Sequence, residues 1–136
     1  MVARPRPNES HHYESFWRDL AHGSIKVDVC DVCEVPLPFG TLICRVHGLN
    51  SVSLREIGRT GKLITTTRLE RHPHPLLDLE TPYYLGVVRE DRFGVMIYCR
   101  VEGDPTNQSD LVEIATEKFS EDVTLIVARR QSQNTL

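Results

Sequence analysis

The sequence predicts a small, mainly β protein with a single helix near its N-terminus, and three observations support this fold class. Short runs of branched and aromatic residues recur beyond residue 50, and glycine, proline or charged residues end each run. One early segment has apolar residues at helical spacing. Two pairs of metal-binding residue types lie between that segment and most of the strand candidates.

Size and charge restrict the classes of protein to which the chain belongs. A length of 136 residues suits one ordinary domain with room for only a small second module. The formal net charge of -3 argues against a broad phosphate-binding surface. No apolar run approaches the roughly 20 residues that a membrane span needs, and residues 1–7 lack the features of a secretory signal. We therefore expect a cytoplasmic protein with no membrane span.

An amphipathic helix is predicted to begin at Ser10 and to end at Gly23. A serine caps the free N–H groups at a helix start, and a glycine readily adopts the left-handed conformation that ends a helix. Four residues fall at i, i+3, i+4 and i+7 in this segment: Tyr13, Phe16, Trp17 and Leu20. We interpret their stripe as a packing face, directed at the same domain or at a partner subunit.

Five strand candidates form the basis of a barrel prediction. They cover residues 51–57, 62–69, 83–89, 95–101 and 123–128. Residues 90–94 have the composition of a hairpin turn, residues 58–61 that of a bend, and residues 72–82 that of a proline-rich surface connection. Five antiparallel strands in about 80 residues suit a small closed barrel, and the OB fold is the leading member of that class.

Four candidate metal ligands form two pairs, Cys30 with Cys33 and Cys44 with His47, separated by ten residues. A gap of two residues lets both side chains of a pair face one ion, and the intervening loop brings the two pairs together. This spacing predicts a structural Zn2+ ribbon, because four protein ligands leave no coordination position for water. Two alternatives stay open: ordinary thiols at chance spacing, or a redox motif, which normally requires a strand-to-helix setting.

The metal-binding pairs place the predicted ribbon between the helix and the barrel. A strand from Ile25 to Val29 is predicted to lead into Cys30, and a second short strand is predicted at residues 41–43. The predicted segments are an N-terminal arm and helix, a zinc ribbon, an OB-fold barrel and a flexible tail, at residues 1–24, 25–50, 51–130 and 131–136.

No catalytic residue is predicted. Cys99 lies within an apolar run, where a cysteine is expected to act as a small core residue. His72 and His74 lie in the proline-rich connection and are expected to be exposed to solvent. The sequence contains neither a nucleophile elbow nor a phosphate-binding loop. We therefore expect a chain that contributes structure and binding rather than chemistry.

The order of these motifs resembles the DUF35 family of small proteins. An aromatic helix at residues 15–20 precedes the two metal-binding pairs, followed by GRTGKLITTT at residues 58–67 and PYYLGVV at residues 82–88. The resemblance covers about residues 12 to 128. It implies a helical segment, a rubredoxin-like zinc ribbon and an OB-fold domain, with His47 where the family usually has a fourth cysteine.

The resemblance also implies a role inside a hetero-oligomer, because members of this family associate with thiolase-fold enzymes. The implied partners are thiolase-like and ketosynthase-like subunits that transfer acyl groups with carbon–carbon bond formation, as in the phloroglucinol acyltransferase. A second implied role is that of an accessory subunit of a hydratase or an aldolase in steroid or lipid breakdown. In both cases the acyl or CoA group is contacted within the complex, and the catalytic nucleophile belongs to the partner.

Binding of single-stranded nucleic acid through the OB face is a third hypothesis, independent of the resemblance. Such sites combine stacking aromatic side chains with a basic groove. Three tyrosines are available for stacking, but acidic residues surround them: Tyr83, Tyr84 and Tyr98 against Glu80, Glu90, Asp91 and Glu102. We therefore predict that nucleic acid is not a partner.

Overall fold

The computed structural model describes residues 14–37, 43–48, 51–71, 80–103, 109–121 and 123–131. Within these ranges it contains one helix, α1 (Glu14–Ala21), and seven strands. The strands are β1 (Lys26–Cys30), β2 (Val52–Glu56), β3 (Thr60–Leu69), β4 (Tyr83–Glu90), β5 (Met96–Glu102), β6 (Leu111–Ser120) and β7 (Val123–Arg130). Several predicted features lie outside the described residues, namely the helix start at Ser10 and Tyr13, residues 41–42, His72, His74 and the tail after residue 131.

The helix α1 confirms the predicted amphipathic segment and its end. Gly23 adopts a positive φ of 84°, and its N–H donates a hydrogen bond to the Leu20 carbonyl at 2.9 Å. Leu20 is buried, while Phe16 and Trp17 pack edge to face on the barrel side. Within the described residues no helix is long and apolar enough to cross a membrane.

The first two strands form a small antiparallel sheet of their own, in which Lys26 pairs with Glu56 and Cys30 with Val52. The prediction that residues 51–57 form a barrel strand is therefore right about the strand and wrong about its partner. Alternating side chains reveal a half-buried strand but carry no information about which neighbour will receive its hydrogen bonds.

The remaining strands form a closed barrel in the order β3-β4-β5-β7-β6, with β3 also paired to β6. All pairs are antiparallel except β5 with β7, which run parallel. Five strands closed in this way with one parallel pair are the OB-fold topology, so the predicted fold class is confirmed. The hairpin turn predicted at residues 90–94 joins β4 to β5.

The sequence pattern does not predict β6, which completes the barrel in place of residues 51–57. The strand LVEIATEKFS contains glutamate, alanine and lysine, which have low β propensity. Its ten residues are nevertheless extended because β6 pairs along most of its length with β7. Val112 and Ile114 point into the barrel and are buried. Tertiary pairing therefore overrides local preference at this strand.

The hydrophobic core lies inside the barrel and continues beneath α1. The barrel strands contribute Leu63, Val88, Ile97, Cys99, Val101, Val112, Ile114 and Ala128. Leu20 of α1 belongs to the same cluster, together with Ile25 and Ile57, which flank the small sheet. The helix, the small sheet and the barrel thus share one core, and Cys99 is a core residue as predicted.

Replacing Gly61 with alanine should destabilise the barrel by about 1–3 kcal/mol, the usual cost of overpacking. A Cβ at Gly61 would lie 2.6 Å from the Arg89 carbonyl oxygen and 2.8 Å from the Val88 side chain. Urea unfolding measures the effect. The exposed Thr66 on the same strand is the matched control, and its change to alanine should cost less than about 1 kcal/mol. Equal effects of the two changes would contradict the expectation.

Candidate metal centre

The four candidate ligands lie on two short knuckles at the end of the small sheet. Cys30 is the last residue of β1, and its carbonyl accepts a hydrogen bond from the Glu34 N–H at 2.7 Å. On the second knuckle Cys44 pairs with Gly48 in an isolated bridge. Both residues that follow a ligand pair have positive φ, 56° at Glu34 and 81° at Gly48. Glu34 thus adopts the left-handed conformation that favours glycine, and the two knuckles turn alike.

Three distances between the ligand atoms are close to the edges of a metal tetrahedron, whereas a fourth, 3.0 Å between Cys33 Sγ and His47 Nδ1, is shorter. The ligand atoms of Cys30, Cys33, Cys44 and His47 all lie within 4.8 Å of one another. The two Sγ atoms of Cys33 and Cys44 are 3.9 Å apart, and His47 Nδ1 lies 3.5 Å from Cys30 Sγ and 3.6 Å from Cys44 Sγ. A tetrahedral Zn2+ with ordinary bond lengths requires edges of about 3.8 Å between sulfurs and about 3.6 Å between sulfur and nitrogen. The four side chains lie close enough to bind one metal ion.

In the absence of metal, the surroundings of the cluster shift the pKa values of its thiols in opposite directions. A hydrogen bond from the Cys33 N–H lowers the pKa of Cys30 to about 6. Desolvation, together with the neighbouring thiols of Cys30 and Cys44, raises the pKa of Cys33 to about 11. The pKa of His47 is raised chiefly by its hydrogen bond with Cys44. At neutral pH Cys33 is therefore a thiol, and metal binding must displace its proton.

Zinc binding near neutral pH should release about one to two protons per ion, because a metal accepts only the deprotonated forms of Cys33 and His47. Both groups have raised pKa values, so protons compete more strongly as the pH falls and the affinity for zinc decreases. Calorimetric titration in two buffers of different ionisation enthalpy measures the released protons. A binding enthalpy that is the same in both buffers would contradict the prediction.

Glu90 is a second unusual residue, and the sequence does not single it out. Its side chain is 0% exposed, and four backbone N–H groups donate hydrogen bonds to its carboxylate. Oε2 accepts from Gly58 at 3.0 Å and Arg92 at 2.9 Å, and Oε1 accepts from Phe93 at 2.5 Å and Val95 at 3.1 Å. Gly58 lies between β2 and β3, so Glu90 joins the β4–β5 turn to the connection between the small sheet and the barrel.

Arginine side chains strengthen the same junction. The Cζ atoms of Arg55 and Arg92 lie 5.3 and 5.1 Å from the ring centre of Phe93, within the range of cation–π contacts. Arg55 belongs to β2, whereas Phe93 belongs to the β4–β5 turn. The Arg92 guanidinium also donates to the Glu56 carbonyl at 3.2 Å. These contacts attach the small sheet, and with it the metal centre, to the barrel.

An apolar groove of about 1130 Å³ lies between α1, the small sheet and a barrel face formed by β3, β4, β5 and β7. Three of its apolar side chains are well exposed, namely Tyr98 at 84%, Met96 at 45% and Leu85 at 43%. Arg100 is the one charged residue among the described side chains that line it. Arg100 pairs with Glu102 and Glu117 at 2.5 Å each, so its charge is already neutralised.

A helix, a two-stranded sheet with a Cys3His cluster and a closed OB barrel define a small zinc-ribbon type of OB-fold protein. A solved structure described as "Ltp2-ChsH2(DUF35) aldolase" is similar, with a TM-score of 0.77 and 19% sequence identity. The alignment covers 91% of this chain and 98% of that chain. At this identity the likeness shows a common fold. No family model matches the chain, and no curated protein matches it.

Proposed function

We propose that this protein is a non-catalytic accessory subunit that docks on a thiolase-like enzyme acting on acyl-CoA. The observation that carries the proposal is the likeness over 91% of the chain to the DUF35-containing structure, whose description also names an aldolase. That description favours an aldolase as the partner, and the family resemblance implies that such an aldolase acts in lipid or steroid breakdown. The acyltransferase with thiolase-like and ketosynthase-like subunits, implied by the family resemblance, is the second candidate.

Cys30, Cys33, Cys44 and His47 are proposed to hold a structural Zn2+ in this subunit. The fit rests on the tetrahedral edges described above and on a donor set of three thiols and one imidazole, which zinc prefers. With four protein ligands the ion supplies a cross-link between the knuckles and stabilises the end of the small sheet. The catalytic groups of the complex then belong to the partner.

The groove and the knuckles are the surfaces proposed for docking. Val32 and Val46 occupy equivalent positions in the two knuckles and are 64% and 77% exposed. Exposed apolar side chains that cluster on a small protein mark interaction surfaces. The groove carries little net charge because Arg100 is neutralised by Glu102 and Glu117. It therefore suits an apolar acyl group rather than the phosphates of CoA.

Changing Tyr98 to glutamate should weaken the complex about tenfold or more, because an exposed aromatic anchor is replaced by a charge. The chain is co-expressed with each thiolase-like protein encoded in the same genome, and the dissociation constant and the activity of any complex are measured. Leu111 is the matched control, since it is 53% exposed and does not line the groove. Its change to glutamate should leave binding intact.

Two outcomes would overturn the proposal. Equal binding by the two variants would remove the groove as the docking surface. A chain that neither binds a thiolase-like protein nor changes its activity would remove the accessory role itself. The reaction of the complex distinguishes the two partner candidates. Turnover of aldol substrates would identify an aldolase, and transfer of acyl groups to an acceptor would identify the acyltransferase.

A further inference from the structure

The cysteines of the metal centre differ in their access to solvent. Cys33 is exposed, whereas Cys30 and Cys44 are buried, with 0% and 5% of their surface accessible. Cys99 is buried inside the barrel and lies outside the cluster. Cys33 is therefore the cysteine of the cluster that an oxidant dissolved in water reaches most readily.

We infer that Cys33 is an oxidation site at which hydrogen peroxide forms a Cys33–Cys44 disulfide and releases the metal. The inference rests on the metal centre of the proposed function and deepens it by adding a means of regulation. Its geometrical basis is the distance of 3.9 Å between the two sulfurs together with the exposure of Cys33. Peroxide is the two-electron oxidant, and no further reactant is needed.

The reaction has two steps that balance in atoms and electrons. In the zinc-loaded chain Cys33 has already lost its proton on binding the metal, and its thiolate attacks one oxygen of peroxide, so that an S–O bond forms, the O–O bond breaks and hydroxide leaves. The Cys44 thiolate then attacks the Cys33 sulfur, so that the S–S bond forms, the S–O bond breaks and a second hydroxide leaves. Two thiolates and one peroxide thus give one disulfide and two hydroxides. The ion keeps only Cys30 and His47 of its four ligands and dissociates.

The contacts of Cys30 favour Cys44 as the second sulfur. Cys30 Sγ accepts a hydrogen bond from the Cys33 N–H at 3.5 Å and lies 3.5 Å from Ser51 Oγ. Cys30 is also the last residue of β1, so a shift toward Cys33 would disturb that strand. Disulfide formation requires the sulfurs to approach to about 2.05 Å. Cys44 lies on the other knuckle, outside both strands of the small sheet, so its approach to Cys33 leaves the pairing of β1 with β2 in place.

The test is a peroxide titration of the full-length, zinc-loaded chain. A chromogenic chelator measures the released zinc, and mass spectrometry of alkylated, unreduced peptides identifies the disulfide. About one zinc should be released for each Cys33–Cys44 disulfide, with the loss of about two free thiols. Dithiothreitol with added zinc should restore the starting state. The Cys99→Ser variant, which keeps all four ligands, should release zinc in the same way.

The zinc content before peroxide separates this inference from the proposed function. A chain that purifies without zinc and takes up none overturns the metal centre, and the inference with it. A zinc-loaded chain that keeps its zinc in peroxide overturns the inference alone. The same holds if Cys33 becomes a sulfinic acid without a cross-link, if it joins Cys30, or if the Cys99→Ser change prevents release.

Discussion

Replacing Cys44 with alanine should reduce the zinc that stays bound against a competing chelator from about one ion per chain to less than about 0.1, because a water must then replace a thiolate as the fourth ligand. Binding of structural zinc contributes roughly 10 to 16 kcal/mol in zinc-finger peptides. The knuckles here carry exposed valines, Val32 and Val46, and have little apolar burial with which to replace that contribution. The small sheet should therefore lose its hydrogen-exchange protection, and exhaustive chelation of the unaltered chain should have the same effect.

The Cys99→Ala variant is the control for this experiment, because Cys99 is a buried cysteine of the barrel that lies outside the cluster. It should keep about one zinc per chain and should cost only the small cavity left by the sulfur, about 1 kcal/mol. Metal content is measured by elemental analysis. A Cys44→Ala chain that still binds one zinc, or a chelated chain whose small sheet stays protected, would contradict the metal centre.

Replacing Glu90 with glutamine should lower the free energy of unfolding by about 2–4 kcal/mol, although the shape of the side chain is preserved. The carboxylate accepts four backbone hydrogen bonds. An amide has one oxygen and one NH2 group, so two backbone N–H groups would face a donor instead of an acceptor. Gly58 and the β4–β5 turn would then separate at a position that water does not reach, and urea unfolding measures the loss.

Glu113→Gln provides the matched control, because Glu113 is an exposed glutamate on β6. This change should alter stability by less than about 0.5 kcal/mol. The Glu90→Gln chain should keep its zinc, since none of the ligands contacts Glu90. A loss of stability no greater than that of the control would show that the four hydrogen bonds are not needed.

The two variants test different parts of one arrangement. The proposed metal ligands would hold the knuckles together through the ion, whereas Glu90 joins the β4–β5 turn to the connection between the small sheet and the barrel. Phe93 and its two arginine neighbours reinforce that attachment. The proposed metal centre and the Glu90 contacts are both needed if the knuckles and the groove are to present fixed surfaces to a partner. Because these two sets of contacts are independent, the Cys44→Ala change should alter the zinc content, and the Glu90→Gln change should alter the stability of the barrel.

Features that depend on local spacing could be predicted from the amino-acid sequence alone. The helix ending at Gly23, the β1 strand before Cys30 and the turn after Glu90 follow from capping, alternation and turn chemistry. The candidate ligands Cys30, Cys33, Cys44 and His47 also follow from spacing, because two residues between ligands suffice to turn both toward one ion. The barrel could be expected from the number of short strands.

Which strands pair and which polar groups are buried became known from the folded structure and could not be read from local patterns. Residues 52–56 join β1 rather than the barrel, and β6 takes their place despite its low β propensity. Three of the four donors to Glu90 follow it closely in the sequence, but Gly58 lies 32 residues away, so the full set forms only in the folded chain. Strand pairing and carboxylate burial depend on contacts between distant segments. A local pattern cannot specify those contacts, because the free energy that selects them arises only when the chain is folded.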